Sequence, residues 1–453
     1  MKLNPKSLTF SISVLMATQI FSQFLNFVFR VILARLVGAE GMGLYQLIIP
    51  VYLVAMSITA YGLSVAVARM SAAYSAKGNS TAVKQTVKLS MWSFLFLFGL
   101  MTAFIIPFSD WISVTLLSDA RTRLGLVLLL PCIFFTGFEN LHKNYFYGMR
   151  EVRQPAIAEV FEQLLRTGCV LLLLIILRPD YLEWTVGVIV IGMVLCEIGS
   201  SAMLCVFYLR HSKKLPPRGE RLNERTLFTE MFRIAIPVSG ATLAGNLLVS
   251  INTIIIPGRL IVSGMGQSEA LSAYGIAFGM TLPLTTLPSV FVIPLSLTMM
   301  PRVAQSAALN DYAALKKQIS KTLWLTALLV IPASLLLIPF GKPILAILFK
   351  DQNAGQFVEI LAITGIFACF QYITNSLLNG IGKQRQAAIN VLISDVIQLA
   401  LTWYLVAMPE FRLWGFVAAF LSTTALCAIL NCLEVLKPIS HIGDKNLKRL
   451  PLG

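Results

Sequence analysis

Charge is scarce in this 453-residue chain, with Asp, Glu, Lys and Arg together at 13%, about half the share of a soluble domain. A water-soluble globular fold is excluded on that ground. The longest hydrophilic stretch runs only from about Arg210 to Arg225, too short to enclose a core of its own. Histidine is nearly absent: His142, His211 and His441 sit at or beyond the ends of apolar runs. No catalytic triad or clustered metal site can be assembled from that set. The seven cysteines, Cys132, Cys169, Cys196, Cys205, Cys369, Cys427 and Cys432, include no CxxC pair. All fall in apolar segments, where they read as small packing residues rather than disulfides or ligands. There is no P-loop. Catalytic residues, metals and cofactors are therefore not expected, and the chain reads as a non-enzyme. Nor is a cleavable leader expected, since the first apolar run is too long and carries Arg30 and Arg35 where small residues would be needed.

What the chain has in abundance is apolar surface, at 57% hydrophobic residues and a mean hydropathy of +0.78. Runs long enough to span a bilayer occur at residues 8–34, 42–68, 88–108, 124–147, 155–177, 184–209, 232–256, 270–300, 322–340, 355–381, 387–407 and 413–436. The expectation is an all-α integral membrane protein of about twelve transmembrane helices. Orientation follows from the basic residues, because basic loops resist translocation. With Met1 inside, 25 of the 36 Lys and Arg residues fall on inner segments, from Lys2 and Lys6 through Lys143, Arg150 and Arg153 to Lys445, Lys448 and Arg449. Both termini are expected to be cytoplasmic. The net charge of +15 is then a topology signal, with some attraction to anionic membrane lipids, and does not imply nucleic acid.

The sequence also repeats itself. Lys84, Gln85 and Lys88 recur 233 residues on as Lys317, Gln318 and Lys321. Gly148, Arg153, Gln154, Ala156 and Ile157 recur at an offset of 232 as Gly380, Arg385, Gln386, Ala388 and Ile389. Two halves with six spans each share one orientation, and such repeats enclose a pathway in many transporters. The expected domains are six-helix lobes at residues 1–215 and 216–453, pseudo-symmetric about a central cavity.

Polar stripes mark candidate cavity faces. Gln19, Gln23, Asn26 and Arg30 follow one another at helical spacing in the first span, as do Ser239, Thr242, Asn246, Ser250 and Thr253 in the seventh. Such stripes are penalised against lipid, so they face protein or water. Interhelical hydrogen-bond seams are the alternative, and the better reading for Ser and Thr alone. Gly43, Pro50 and Gly62 in the second span, and Gly275, Gly279, Pro283, Pro288 and Pro294 in the eighth, predict interrupted helices. Glu159, Glu162 and Arg166 lie along the fifth span, where Glu162 and Arg166 can pair four apart. That pair reads either as a mutually neutralised buried couple or as an ion-coupling site. Asp395, within one position of Glu162 by the repeat, has no obvious local partner and is the other ion-coupling candidate. Glu139, Glu197, Arg233 and Glu434 complete the ionisable groups near the spans.

Three stretches resemble the stage V sporulation protein B family: GAEGMGLYQLIIPVY at Gly38–Tyr52, IPVSGATLAGNLLVSINTIIIPGRL at Ile236–Leu260, and the run from Glu269 to Val303 around GMTLPL. That family belongs to the multidrug, oligosaccharidyl-lipid and polysaccharide exporter superfamily, with the lipid II flippases. The resemblance implies a bacterial plasma-membrane bundle that moves an undecaprenyl-diphosphate-linked saccharide from inner to outer leaflet by alternating access. The saccharide would be a peptidoglycan precursor or another cell-envelope unit, and cell-wall synthesis proteins are candidate partners. Arg30 lies near an arginine found late in the first span of lipid II flippases. The position of their eighth-span arginine is apolar here, around Met280 to Pro283, and the twelve spans contrast with fourteen in many relatives. Arginine suits a diphosphate because its planar fork offers paired donors. Arg30, Arg166, Arg233 and Arg259 are therefore the substrate candidates, with Gln23, Asn26 and Asn246 beside them in the cavity. A cation-coupled multidrug exporter of the same superfamily is the alternative, and it would depend on Asp395 or Glu162 instead.

Overall fold

The structure, a computed structural model, describes residues 5–215, 218–309 and 311–447. Lys2, Lys448 and Arg449, counted above as inner residues, lie outside the described residues, as do the side chains of Lys6, His441 and Lys445. Every regular element among the described residues is a helix. Within hydrocarbon a helix satisfies its own N–H and C=O groups, which is why a chain this apolar folds so.

The first half holds α1 (Pro5–Met56), α2 (Gly62–Ala76), α3 (Ser80–Trp111), α4 (Thr122–Gly148), α5 (Arg153–Leu177) and α6 (Leu182–Lys214). Then come α7 (Glu224–Val262), α8 (Gln267–Tyr274), α9 (Leu282–Thr285), α10 (Ser289–Ala308), α11 (Tyr312–Phe349), α12 (Val358–Ile381), α13 (Gln384–Leu405) and α14 (Leu413–Leu447). Among the described residues, ten helical segments are each long and apolar enough to cross a membrane, and the α8 to α10 stretch, bent by 58°, makes an eleventh. One of the ten, Ala17–Ala76, is 60 residues long, or about 90 Å at 1.5 Å per residue, three times the hydrocarbon thickness. Gly38 divides it: its φ of 72° and ψ of −178° interrupt α1, in backbone space that essentially only glycine enters cheaply. Twelve spans result.

Just past that break Glu40 accepts from Arg121 Nη1 at 2.9 Å, and Asp119 takes the Nε and Nη2 of the same guanidinium. The Asp119 bonds first, and then Glu40, hold the Arg121 pKa above its ordinary value. The turn after the first span is thereby fastened to the entrance of α4.

The second and eighth spans carry π-helical turns, at Ser57–Tyr61 and Gly275–Thr281. These are the two spans in which the glycines and prolines predict interruption. A π turn leaves one carbonyl out of register, and such bulges recur at functional positions in helices.

By packing, the chain forms two compact units, Met1–Gly258 and Arg259–Gly453. The boundary falls inside α7. Most of that helix packs in the first unit, where Gly62 lies so close to it that an added Cβ would meet the Ala235 carbonyl oxygen and Ser239 Oγ at 2.3 Å. Each unit shows the repeat in its own geometry. Asn79 caps α3 by accepting from Ala82 N, and Asp311, 232 residues on, caps α11 by accepting from Ala314 N. A Cβ added at Gly148 would stand 2.5 Å from the Ala68 carbonyl oxygen, and one at Gly380 would stand 3.0 Å from that of Met300. Both glycines and both carbonyls are 232 residues apart.

Candidate functional site

Inside the first unit, four helices bring together a buried set of ionisable side chains. Glu139 and Lys143 sit one turn apart on α4, Glu162 and Arg166 one turn apart on α5, and Glu197 on α6. Helical spacing aligns each i, i+4 pair on one face, and packing of α4 and α5 on α6 turns those faces inward. Lys143 Nζ lies 2.6 Å from Glu139 Oε1 and 2.9 Å from Glu162 Oε2. Arg166 Nη2 lies 2.5 Å from Glu162 Oε1 and 3.1 Å from Glu197 Oε1. Glu139 and Glu197 are 1% and 2% exposed, so their charges are tolerable only through these partners. Ser200 Oγ adds a bond to Glu139 Oε1 at 2.8 Å, while the Oε2 atoms of Glu139 and Glu197 are buried without a hydrogen-bond partner among the described residues. Three carboxylates against two cations leave this cluster one negative charge in excess when all are ionised.

Arg30 completes the arrangement from α1. It is half-buried and, among the described residues, has neither a hydrogen bond nor an ion pair. Its electrostatic neighbour is Tyr45, which also lies within range of Arg166. The five guanidinium donors of Arg30 are therefore uncommitted. On the same helix Gln19 donates to Glu159 Oε1 at 2.9 Å. Asn26 is half-buried and Gln23 exposed.

The other candidates are placed differently. Asn246 donates to Ser57 Oγ at 2.8 Å and Ser250 donates to the Pro50 carbonyl at 3.3 Å, so this part of the α7 stripe forms a hydrogen-bond seam with the second span. Ser57 belongs to the π turn. Arg233 is exposed on α7. In the second unit, Arg259 stacks over the Trp403 ring at 4.3 Å and donates from Nε to the Trp403 carbonyl at 2.9 Å. Asp395 of α13 is half-buried, with no hydrogen bond or ion pair among the described residues.

Lys143 is the member that sequence reading missed. It falls at the inner end of a hydrophobic run and was counted as a loop cation, whereas it bridges two helices at 17% side-chain exposure. The available signal was Glu139 four residues earlier on the same helix face.

With this geometry in place, the comparisons fix the family. A model of the family described as polysaccharide biosynthesis protein matches residues 8–307, well over half of the chain. The chain belongs to that family. A MatE model also matches residues 242–404. Stage V sporulation protein B of Bacillus subtilis (strain 168) is 25% identical over 433 residues, covering 94% of this chain and 83% of the relative. Lipid II flippase MurJ of the same organism is 22% identical, covering 86% and 75%. An inward-facing multidrug resistance MATE family transporter of the MOP superfamily superposes with a TM-score of 0.77 at 15% identity, covering 93% of this chain and 96% of that one. This member of the polysaccharide biosynthesis family thus has the MOP-superfamily fold and is a membrane transporter, not an enzyme.

Proposed function

We propose that the chain is a flippase that carries an undecaprenyl-diphosphate-linked saccharide, a peptidoglycan precursor or another cell-envelope unit, from the inner to the outer leaflet. Six-helix lobes at residues 1–215 and 216–453 alternate the exposure of a central pathway, in a bacterial plasma membrane with both termini cytoplasmic. The observation that carries this reading is Arg30, a guanidinium within the first span with no carboxylate partner. Leaving an uncompensated cation there costs at least about 2.5 kcal/mol, a cost that an anionic cargo removes. The relative named lipid II flippase supports the same cargo class.

A diphosphate-sugar headgroup cannot enter hydrocarbon unaided, since its charges and hydroxyls would lose their water. Bound to Arg30, the diphosphate brings further negative charge into a unit whose buried cluster already holds one carboxylate in excess. Uptake of a cation or proton at Glu162 and its neighbours then restores neutrality, and Asp395 is the corresponding candidate in the second half. A membrane potential, negative inside, adds about 2.3 kcal/mol per charge per 100 mV to outward movement of an anion. Cell-wall synthesis proteins would receive the cargo.

A second reading is favoured by one observation, the majority of carboxylates over cations in the buried cluster. A cation-coupled exporter of amphipathic drugs would use that acidity directly. The deciding experiment follows outer-leaflet access of lipid-linked precursor in cells lacking redundant flippases. Depletion of the protein, or R30A, should slow the appearance of precursor outside at least tenfold and leave efflux of cationic dyes unchanged. Undiminished flipping, with dye efflux lost in E162Q, would establish the exporter instead.

A further inference from the structure

The second motif of the internal repeat, running from Gly148 to Ile157, belongs to neither the ion-pair cluster nor the polar stripe of α1. In the first unit it builds the mouth of a cavity of about 820 Å³. Arg150, Glu151 and Arg153 stand at one end of it, and Ile157, Phe161 and Leu164 form the wall beyond. Thr18 of α1 also lines it. The three wall residues are 44%, 38% and 52% exposed at spacings of four and three, so they form one continuous apolar strip down α5. From Arg153 to Leu164 is eleven residues, about 16 Å of helix, close to the ~15 Å depth of one leaflet of hydrocarbon.

Charge at the mouth is uncommitted. Among the described residues neither Arg150 nor Arg153 has a carboxylate partner, while Glu151 Oε2 accepts from Gln154 Nε2 at 3.2 Å. Arg150 is moreover fixed in left-handed backbone space, at φ 61°, where its amide donates to the Tyr147 carbonyl at 3.1 Å. Glycine or asparagine is the usual occupant of such a helix end. Two arginines and one glutamate leave a net charge of +1 beside a strip of apolar surface one leaflet deep.

We infer that this groove between α1 and α5 is a binding seat for a monoanionic phospholipid of the leaflet at the Arg150 end, with the phosphodiester between Arg150 and Arg153 and an acyl chain along Ile157, Phe161 and Leu164. The net charge matches one phosphodiester and undercompensates a diphosphate, which separates this seat from the transported cargo. The wall lies on a membrane span, which excludes a soluble anion as its natural occupant. Guanidinium pairs bind phosphate oxygens through parallel N–H donors, so preference over a zwitterionic lipid of the same chain length follows from the mouth alone. The inference is independent of what the protein transports.

The test is native mass spectrometry of the full-length protein in detergent with equimolar phosphatidylglycerol and phosphatidylethanolamine carrying the same acyl chains. Wild type should retain phosphatidylglycerol at least fivefold over phosphatidylethanolamine, and R150Q/R153Q should fall to parity with an unchanged thermal unfolding midpoint. Should that variant not fold, a diazirine on the phosphatidylglycerol acyl chain serves with wild type alone. It should label the peptide spanning residues 153–164, with protection by unlabelled phosphatidylglycerol and none by phosphatidylethanolamine. Parity in wild type, a preference that survives R150Q/R153Q in folded protein, or labelling confined to other helices would overturn the assignment. So would displacement of phosphatidylglycerol by equimolar undecaprenyl diphosphate, which would give the seat to a diphosphate lipid.

Discussion

Lys143 Nζ stands 2.9 Å from Glu162 Oε2 and 2.6 Å from Glu139 Oε1, so one ammonium ties α4 to α5 and shields two buried carboxylates from each other. Removing it exposes both to the low dielectric of the bundle. K143M should therefore cost about 3–5 kcal/mol, the usual penalty for stranding a buried charge. Returning the cluster to its original excess of one carboxylate with K143M/E139Q should recover a substantial part of that loss. Thermal unfolding in detergent, run as a double-mutant cycle, checks both; independent, additive losses would show that the two residues are not energetically coupled.

Arg30 should behave in the opposite way. Without a partner to strand, its removal is expected not to lower stability and to raise it toward the about 2.5 kcal/mol that an uncompensated cation costs, while transport of lipid-linked saccharide falls at least tenfold. R30K should retain part of the activity, because an ammonium supplies the charge but not the paired donors of a guanidinium. A flipping assay on reconstituted protein, read beside the unfolding midpoint, separates the two effects.

The bond from Asn246 to Ser57 Oγ predicts a matched pair of phenotypes. N246A and S57A should each cost about 1 kcal/mol, and the double variant should cost less than their sum. An effect on transport confined to N246A would instead point to direct contact between Asn246 and cargo, so both readouts are needed.

Gly148 and Gly380 occupy equivalent places in the repeat but with different clearance. An added Cβ stands 2.5 Å from backbone at the first and 3.0 Å at the second. G148A should be the more damaging change, at about 1–3 kcal/mol, as overpacking against a carbonyl that cannot move aside. G380A should cost less. Unfolding midpoints of the two variants decide the order.

Much of the architecture was legible because hydrocarbon permits so little. Twelve apolar runs gave twelve spans, and the glycines and prolines of the second and eighth runs fell where Ser57–Tyr61 and Gly275–Thr281 depart from α-helix. The pairing of Glu162 with Arg166 could be read from a spacing of four. Lys143 could not, because a lysine at the end of an apolar run has the same local signature whether it enters water or bends back to a carboxylate on another helix. Asn246 posed the same problem. Its place on a polar stripe is local information, while its partner Ser57 is 189 residues away. The distinction between a wet face and a dry seam is made by tertiary packing alone.

The repeat also shows what the fold does without. At the 232-residue offset that relates Gly148 to Gly380, Glu139, Lys143, Glu162 and Arg166 correspond to Gln371, Asn375, Ser394 and Gln398. Each of these four groups corresponds to an uncharged polar residue in the other copy, and Glu197, the fifth member, corresponds to Ile429. The same scaffold is thus built twice, once around interlocked ion pairs and once without them, with Asp395 standing one position from the place equivalent to Glu162. Transplanting the second copy's residues into positions 139, 143, 162, 166 and 197 would remove the first half's cluster whole and leave no member stranded.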